Sequence, residues 1–332
     1  MRVGIIGATG LVGRTTLKIL EERGFPVSEL TLYASERSVG ERIEFNGKEY
    51  EVRAIHDNWD LVADVFFASV SDDMTRPILE NYKGEAWIID KSKVFRMDPE
   101  VPLVVPEVNA DALKKVTRRI VANPNCTTIP FVMAMAAVRK VANPSRTMVT
   151  SLQSVSGAGK DALAELRLQR EYAAAGEEIP EDAKKVFPKT IAANVDPQIG
   201  AMKDSDETSE EAKLRQESRK ILGDDKLKVY GTCVRVPVEV GHSLSVTCMF
   251  ETEVGIDEIR ESLSSFAGIK ISGGKEYVTP IEAAGKDEVF CSRLRYDVED
   301  KRIIHFWLVS DNLRKGAALN AVQIAESLFQ LP

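Results

Sequence analysis

The chain opens with MRVGIIGATGLVGRTTLKILEERG, residues 1–24, and this stretch decides the fold of the first domain. The apolar run RVGII predicts a buried strand, and RTTLKILEERG predicts an amphipathic helix that ends at Gly24. Between them, GATGLVG at residues 7–13 spaces three glycines as GxxGxxG. Glycines in a strand-to-helix turn allow backbone N–H groups to approach a pyrophosphate. The segment therefore predicts a Rossmann-type βα unit that binds a dinucleotide.

Apolar runs continue this alternation of strands and crossover helices through the first third of the chain. They are LTLYAS at 30–35, VADVFFAS at 62–69, AWIID at 86–90 and RRIVANP at 118–124. From Met148 the pattern changes to long alternating strands, such as KVYGTCVRVPVEVGHSLSVTCMFET at 228–252. We predict an α/β protein with a Rossmann-type domain at 1–125 and an α+β domain with a mainly antiparallel sheet at 126–312. A C-terminal helix at about 313–332 is predicted to pack on the first domain.

The composition excludes several classes of protein. The 332 residues are 44% hydrophobic and 29% charged, as in globular proteins with room for two cores. We expect a cytoplasmic protein without a membrane partner, because the chain has no signal peptide and no apolar stretch of transmembrane length. A net charge of -7 opposes nucleic-acid binding. The four cysteines have no CxxC spacing, so neither a metal site nor a disulfide framework is predicted.

The residues after the second predicted strand indicate which dinucleotide is bound. Enzymes that use NAD often place an acid here, where it contacts the ribose 2′-OH. In this chain Ser35 and Glu36 are followed by Arg37 and Ser38, which could bind a 2′-phosphate through charge and hydrogen bonds. The sequence therefore favours NADP. The alternative is that Glu36 and Arg37 form an exposed ion pair, which leaves the use of NAD open.

One cysteine has a sequence context that favours reactivity. NPNCTT at 123–128 places Cys126 after a Pro/Asn turn and before the apolar, helix-like run at 129–141. A thiol at a helix N-terminus has its pKa lowered by the helix dipole and by free backbone amides. Cys233 and Cys248 lie within apolar strand patterns and are predicted to be core residues. The local sequence leaves two alternatives for Cys126, a nucleophile or a buried structural thiol.

Motifs spread over nearly the whole chain resemble those of aspartate-β-semialdehyde dehydrogenases. The matching blocks are GATGLVG at 7–13, VPLVVPEVN at 101–109, PNCTT at 124–128, SLQSVSGAGK at 151–160 and SDNLRKGAALNAVQIAE at 310–326. The resemblance implies an NADP-dependent oxidoreductase of lysine, threonine and methionine biosynthesis. Cys126 would attack L-4-aspartyl phosphate, phosphate would leave, and hydride from NADPH would reduce the thioester to L-aspartate-4-semialdehyde.

The resemblance also implies which residues act beside the thiol and the nucleotide. Gln153 would orient the intermediate, and His242 would transfer protons. The other two histidines, His56 and His305, have no such motif support and are predicted to be structural. The contacts implied for NADP are Gly7, Thr9, Gly10, Leu11, Val12, Gly13, Ser35, Arg37, Ser38, Ser156, Gly157 and Asn312.

For the substrate, the resemblance implies ligands of matching charge. Arg235 would bind the carboxylate as a bidentate fork and Glu210 would bind the ammonium group. Arg96 and Lys213 would contact the phosphate, with Asn125 nearby. The alternative for Glu210 and Lys213 is an ordinary ion pair at i,i+3 spacing on a helix.

The spacing of Arg235 and His242 sets a geometric condition on this site. Residues seven apart on an unbroken strand point to opposite faces. Pro237 and Gly241 lie between them, and both residue types interrupt regular strands. The convergence of Arg235 and His242 is therefore an implication of the resemblance and not of the spacing.

Two other functions compete with this interpretation. N-acetyl-γ-glutamyl-phosphate reductases use the same acyl-phosphate chemistry on a longer, acylated substrate, for which Glu210 would have no ammonium group to bind. A non-catalytic NADP-binding sensor could share the fold. By the same resemblance we expect a homodimer or homotetramer that pairs through the second domain.

Overall fold

The computed structural model describes residues 1–55 and 62–331, and these form two compact units. The first unit comprises Met1–Asn125 and Ala317–Pro332, and the second comprises Cys126–Gly316. His56, which we predicted to be structural, lies outside the described residues. Within the described part of the chain, no helix is both long enough and apolar enough to span a membrane.

A seven-stranded sheet forms the centre of the first unit. Its strands are β1 (Arg2–Ile6), β2 (Glu29–Ala34), β3 (Arg42–Phe45), β4 (Lys48–Ala54), β5 (Val65–Ala68), β6 (Trp87–Asp90) and β7 (Ile120–Ala122). They are arranged in the order β3-β4-β2-β1-β5-β6-β7. The hairpin of β3 and β4 is antiparallel, and the other neighbours are parallel. The sheet therefore has the doubly wound form expected of a nucleotide-binding domain.

The helices of the first unit are α1 (Leu11–Glu22), α2 (Asp72–Leu79), α3 (Pro106–Asn109) and the C-terminal α9 (Leu319–Phe329). The apolar side of α9 joins the buried cluster that also contains Leu17 and Leu20 of α1. Arg23 and Glu326 form an ion pair at 2.6 Å. The side chain of Asn320 donates to Asn123 Oδ1 at 2.8 Å. The chain terminus thus completes the core of the unit in which the chain begins.

The second unit contains a six-stranded mixed sheet with helices. The strands are β8 (Arg146–Gln153), β9 (Val229–Arg235), β10 (His242–Met249), β11 (Ile269–Ile271), β12 (Val289–Tyr296) and β13 (Ile303–Ser310), in the order β11-β12-β13-β10-β8-β9. Three of the five neighbouring pairs are antiparallel, and β8–β9 and β11–β12 are parallel. The helices are α4 (Thr128–Arg139), α5 (Lys160–Ala175), α6 (Ser209–Leu222), α7 (Ile256–Ser264) and α8 (Pro280–Ala283). The predicted fold class is confirmed.

Candidate active site

Three adjacent strands bring Arg235, Gln153 and His242 to one end of the second sheet. Gln153 ends β8 and is in register with Arg235, which ends β9. On the other side of β8, Leu152 is in register with Ser243, so His242 at the start of β10 lies beside Gln153. Residues 236–241 connect the two outer strands. The three side chains therefore meet because of strand register, and the geometric condition for a single strand does not apply.

Gly157 lies where the guanidinium of Arg235 and the imidazole of His242 approach each other. A Cβ atom at position 157 would be 3.1 Å from Arg235 Nη1 and 3.1 Å from His242 Nε2. Both distances are tighter than ordinary van der Waals contact, and both side chains are buried. Glycine at this position therefore keeps space free between a cation and a ring nitrogen.

Cys126 lies in the turn that leads into α4 and is half-buried. It directly precedes Thr127, which occupies the N-cap position of this 12-residue helix. The positive end of the helix dipole and the cation of Arg235, which interacts electrostatically with Cys126, both favour a thiolate. Gly316 packs against Cys126, since a Cβ atom at position 316 would be 3.1 Å from the Cβ of Cys126. These surroundings are those of a reactive cysteine.

His242 is fully buried, and its hydrogen bonds define its tautomer. The backbone N–H of Ser154 donates to Nδ1 at 3.0 Å, so the neutral ring carries its proton on Nε2. Nε2 has no hydrogen-bond partner among the described residues. Burial, assisted by the nearby charge of Arg235, lowers the pKa of His242 to about 3. The ring is therefore neutral at physiological pH, with an N–H group unused by the fold.

This low pKa predicts a pH dependence of stability that the variant His242→Asn should reduce. In the unfolded chain the imidazole binds a proton below its ordinary pKa of 6.5, whereas in the folded chain it stays neutral down to about pH 3. Acidification between these values therefore favours the unfolded state, by about 1.4 kcal/mol per pH unit. Between pH 7 and pH 5, the free energy of unfolding measured in urea should fall by roughly 2 kcal/mol less in the variant than in the wild type. An equal loss in both proteins would contradict the assignment.

Glu210 links the first turn of α6 to the end of the sheet. Gln153 Nε2 donates to its Oε1 at 3.3 Å, and Lys213 Nζ lies 2.9 Å from its Oε2. Thr208 and Glu211 form a capping box that fixes the start of the helix. The ion pair expected from the i,i+3 spacing is thus present. The same carboxylate also lies in contact with Gln153 and within electrostatic range of Arg235.

Asn312 and two serines form a buried network beside His242. Asn312 Oδ1 accepts the backbone N–H of Gly241 at 2.8 Å, and Asn312 Nδ2 donates to Ser156 Oγ at 3.0 Å. Ser154 Oγ lies 3.1 Å from His242 Nδ1 and donates to Asn312 Oδ1 at 3.0 Å. Ser156 and Asn312 were predicted from the sequence as contacts of NADP, whereas Ser154 was not predicted. Only its place inside the SLQSVSGAGK block could have drawn attention to it.

The glycine turn of the first unit has the shape required to hold a dinucleotide phosphate. Gly7 has a φ of +85°, and Gly10 directly precedes α1. A Cβ atom at position 13 would lie 2.2 Å from the carbonyl oxygen of Gly7, so only glycine fits there. Thr9 Oγ1 lies 3.2 Å from Ser38 Oγ, which places the turn beside the residues that follow β2. The turn and the residues expected to bind the 2′-phosphate are therefore neighbours, and the residues present fit the group.

Gly13→Ala should damage this turn more than Gly10→Ala does. The new methyl group at position 13 would overlap backbone atoms of Gly7 and Ala8, whereas the nearest atom to a Cβ at position 10 is 3.3 Å away. We expect Gly13→Ala to destabilise the protein by about 1–3 kcal/mol and to weaken NADPH binding at least about tenfold. Urea unfolding and NADPH fluorescence titration measure the two effects. Equal free energies of unfolding and equal NADPH affinities in the two variants would contradict the requirement for glycine at position 13.

The remaining predicted phosphate contacts, Arg96 and Asn125, belong to the first unit. Arg96 is buried, and its Nη2 donates to the carbonyl of Lys91 at 2.6 Å. Asn125 is also buried and is the last residue before the second unit begins. The third predicted contact, Lys213, belongs to the second unit. The structure thus assigns these residues to different units.

Comparisons with known proteins agree along the whole chain. Residues 2–116 match the semialdehyde dehydrogenase NAD-binding domain, and residues 135–315 match the semialdehyde dehydrogenase dimerisation domain. Aspartate-semialdehyde dehydrogenase of Aquifex aeolicus is 45% identical, over 99% of this chain and 98% of that protein. The chain belongs to the aspartate-semialdehyde dehydrogenase family. A further family member, from Rickettsia conorii, is 41% identical over 98% of this chain and 97% of its own length.

Solved structures of the family show the same architecture. Aspartate semialdehyde dehydrogenase II from Vibrio cholerae matches with a TM-score of 0.94 and 39% identity, over 99% of this chain and 98% of that one. The same enzyme complexed with ASA matches with a TM-score of 0.93. A probable aspartate-semialdehyde dehydrogenase from Pseudomonas aeruginosa matches at 0.92, with 29% identity and the same coverage. The family resemblance inferred from the sequence motifs is confirmed.

Proposed function

We propose that the chain reduces L-4-aspartyl phosphate to L-aspartate-4-semialdehyde with NADPH, reversibly, in the biosynthesis of lysine, threonine and methionine. The observation that carries the proposal is the convergence of Arg235, Gln153 and His242 at one sheet end, with Cys126 within electrostatic range of Arg235. A cation, a thiol and a neutral imidazole together suit an anionic acyl substrate that is held as a thioester.

In the first half-reaction Cys126 is the nucleophile. Its thiolate attacks the acyl carbon of aspartyl phosphate, a C–S bond forms, the C–O bond to phosphate breaks, and phosphate leaves. Arg235 binds the substrate carboxylate and Glu210 binds the ammonium group. The phosphate contacts are Arg96, Asn125 and Lys213. Gln153, which donates to Glu210, orients the acyl group.

In the second half-reaction the thioester is reduced and Cys126 is released as a thiolate. NADPH, when bound, supplies the hydride for this step. The Nε2–H of His242 donates a hydrogen bond to the oxyanion that forms on the acyl oxygen, and the C–S bond then breaks to give the aldehyde and the Cys126 thiolate. His242 can accept a proton from the thiol at Nε2 only in its other tautomer. In that tautomer Nδ1 carries the proton and no longer accepts the hydrogen bond from the N–H of Ser154.

We assign the nucleotide contacts from the family resemblance. The backbone of residues 7–13, with Thr9, would hold the pyrophosphate, and Ser35, Arg37 and Ser38 would hold the 2′-phosphate. Ser156, Gly157 and Asn312 would contact the nicotinamide end. Arg37 is exposed and has a charge that matches the extra phosphate of NADP. NADP is therefore the favoured cofactor.

Assembly and location follow from the same assignment. We expect a homodimer or homotetramer that forms through the second unit, which matches a family dimerisation domain. The four cysteines are not joined in disulfides. We expect the protein to act in the cytoplasm, where a catalytic thiol is kept reduced.

Oxidation of L-aspartate-β-semialdehyde tests the proposal. The purified protein should form NADPH continuously only when phosphate is present, and kcat/KM should be higher with NADP⁺ than with NAD⁺. Arg37→Ala should raise KM for NADP⁺ without raising that for NAD⁺. Folded protein that is inactive with both nucleotides would contradict the aspartyl assignment. The N-acetylglutamyl substrate would then be assayed next.

A further inference from the structure

Arg235 lies against an irregular segment, residues 183–196, that is held in place from elsewhere in the second unit. The ring centroid of Phe187 lies 6.0 Å from Cζ of Arg235. Asp196 and Arg235 exchange two backbone hydrogen bonds, at 2.9 and 2.7 Å. Arg235 Nη1 also donates to the carbonyl of Ser154, directly after the end of β8, at 2.7 Å. The position of the guanidinium therefore depends on this segment as well as on the sheet.

Two buried side chains of α5 anchor the segment. The carboxylate of Glu165 accepts three successive backbone N–H groups, at 2.7, 2.6 and 3.3 Å, those of Lys185, Val186 and Phe187. Gln169 Oε1 accepts two more, at 2.8 and 3.1 Å, those of Ile191 and Ala192. Gln169 Nε2 also donates to Glu165 Oε1 at 3.1 Å and to the carbonyl of Ala183 at 3.0 Å. Both side chains are thus used to satisfy loop backbone groups that would otherwise be unpaired.

We propose that Phe187, held by Glu165 and Gln169, is a positioning residue that orients the guanidinium of Arg235 for the substrate carboxylate. The proposal rests on the proposed function, in which Arg235 is the carboxylate ligand. The face of an aromatic ring attracts a guanidinium, most strongly where both are removed from water. Phe187 and Arg235 are both buried. A guanidinium makes two parallel hydrogen bonds to a carboxylate only when its plane is correctly oriented.

This role predicts a specific kinetic signature. The carboxylate is remote from the acyl carbon, and it is bound in the ground state and in the transition state alike. A loss of such uniform binding raises KM and leaves kcat unchanged. A general loosening of the fold would lower kcat and the affinity for nucleotide as well.

The test measures the steady-state kinetics of semialdehyde oxidation for four variants. Phe187→Leu removes the ring face and should raise KM for L-aspartate-β-semialdehyde about tenfold, with kcat and KM for NADP⁺ unchanged. Phe187→Tyr keeps the ring face and should keep KM near that of the wild type. Glu165→Gln should raise KM to a similar extent. In the double variant Glu165→Gln/Phe187→Leu, KM should be no higher than in the single variant with the higher KM. Both substitutions remove the same interaction, the contact of the Phe187 ring with Arg235.

Val186→Ala is the matched control, since its side chain is exposed and lies next to Phe187 in the chain. Its KM should equal that of the wild type. If the wild type is active and Phe187→Leu has the same KM as the wild type, the positioning role is overturned and the proposed function stands. Additive effects in the double variant, or a fall in kcat in place of a rise in KM, would also overturn it. An inactive wild type would instead contradict the proposed function itself, and the positioning role with it.

Discussion

Cys126→Ala is expected to lower kcat for semialdehyde oxidation by about 10⁴-fold or more. The variant cannot form the thioester, and no other described cysteine can replace the thiol. Burial raises the pKa of Cys233, Cys248 and Cys291 to about 12, so all three remain protonated at the pH of the assay. Binding of NADPH should be retained. The measurement is the initial rate of phosphate-dependent NADPH formation, together with fluorescence titration of the nucleotide.

Cys291→Ala is the control for this substitution. It removes a thiol from β12 and should leave kcat unchanged. In the wild type, iodoacetamide at neutral pH should alkylate Cys126 in preference to the three buried thiols. Full activity of Cys126→Ala, or inactivation by loss of the Cys291 thiol, would contradict the assignment of the nucleophile.

Arg235→Lys is expected to raise KM for L-aspartate-β-semialdehyde about 100-fold. Lysine keeps the positive charge but cannot form two parallel hydrogen bonds to a carboxylate. Arg302→Lys is the matched control, because Arg302 lies in an exposed ion pair with Asp300 and should not affect KM. An unchanged KM in Arg235→Lys would contradict the role of this residue.

A second effect separates charge from geometry at the same position. The positive charge of Arg235 favours the thiolate of Cys126, with which it interacts. Arg235→Gln removes that charge and should move the pH midpoint of iodoacetamide alkylation to higher values, whereas Arg235→Lys should move it less. Identical alkylation profiles for the two variants would show that Arg235 does not act on the thiol.

The sequence predicted the parts of the fold that depend on local pattern. The glycine turn at 7–13, the strand before it and the helix after it follow from glycine spacing and apolar periodicity. The hairpin of β3 and β4 was missed, although its turn residues Asn46 and Gly47, both with positive φ, are the dipeptide most typical of such turns. This short antiparallel insertion departs from the alternation of β-strand and helix that the rest of the domain follows.

The parts of the site that depend on tertiary register could not be predicted from spacing. Arg235 and His242 converge because β8 lies between β9 and β10, an order of strands that no local pattern contains. The contact of Ser154 with His242 arises in the same way. Glu165 and Gln169 are buried polar residues on α5, where other charged residues are interspersed with alanine and leucine, so their sequence positions are typical of a solvent-facing surface.

The most direct test of the proposed chemistry is to trap the acyl-enzyme. Wild-type protein is mixed with L-aspartate-β-semialdehyde and NADP⁺ in the absence of phosphate, quenched in acid and analysed by peptide mass spectrometry. We predict one equivalent of NADPH per active site and an aspartyl group attached to Cys126, which is lost when phosphate is added before the quench. Continuous NADPH formation without a protein-bound acyl group, or an acyl group on another residue, would contradict the thioester mechanism.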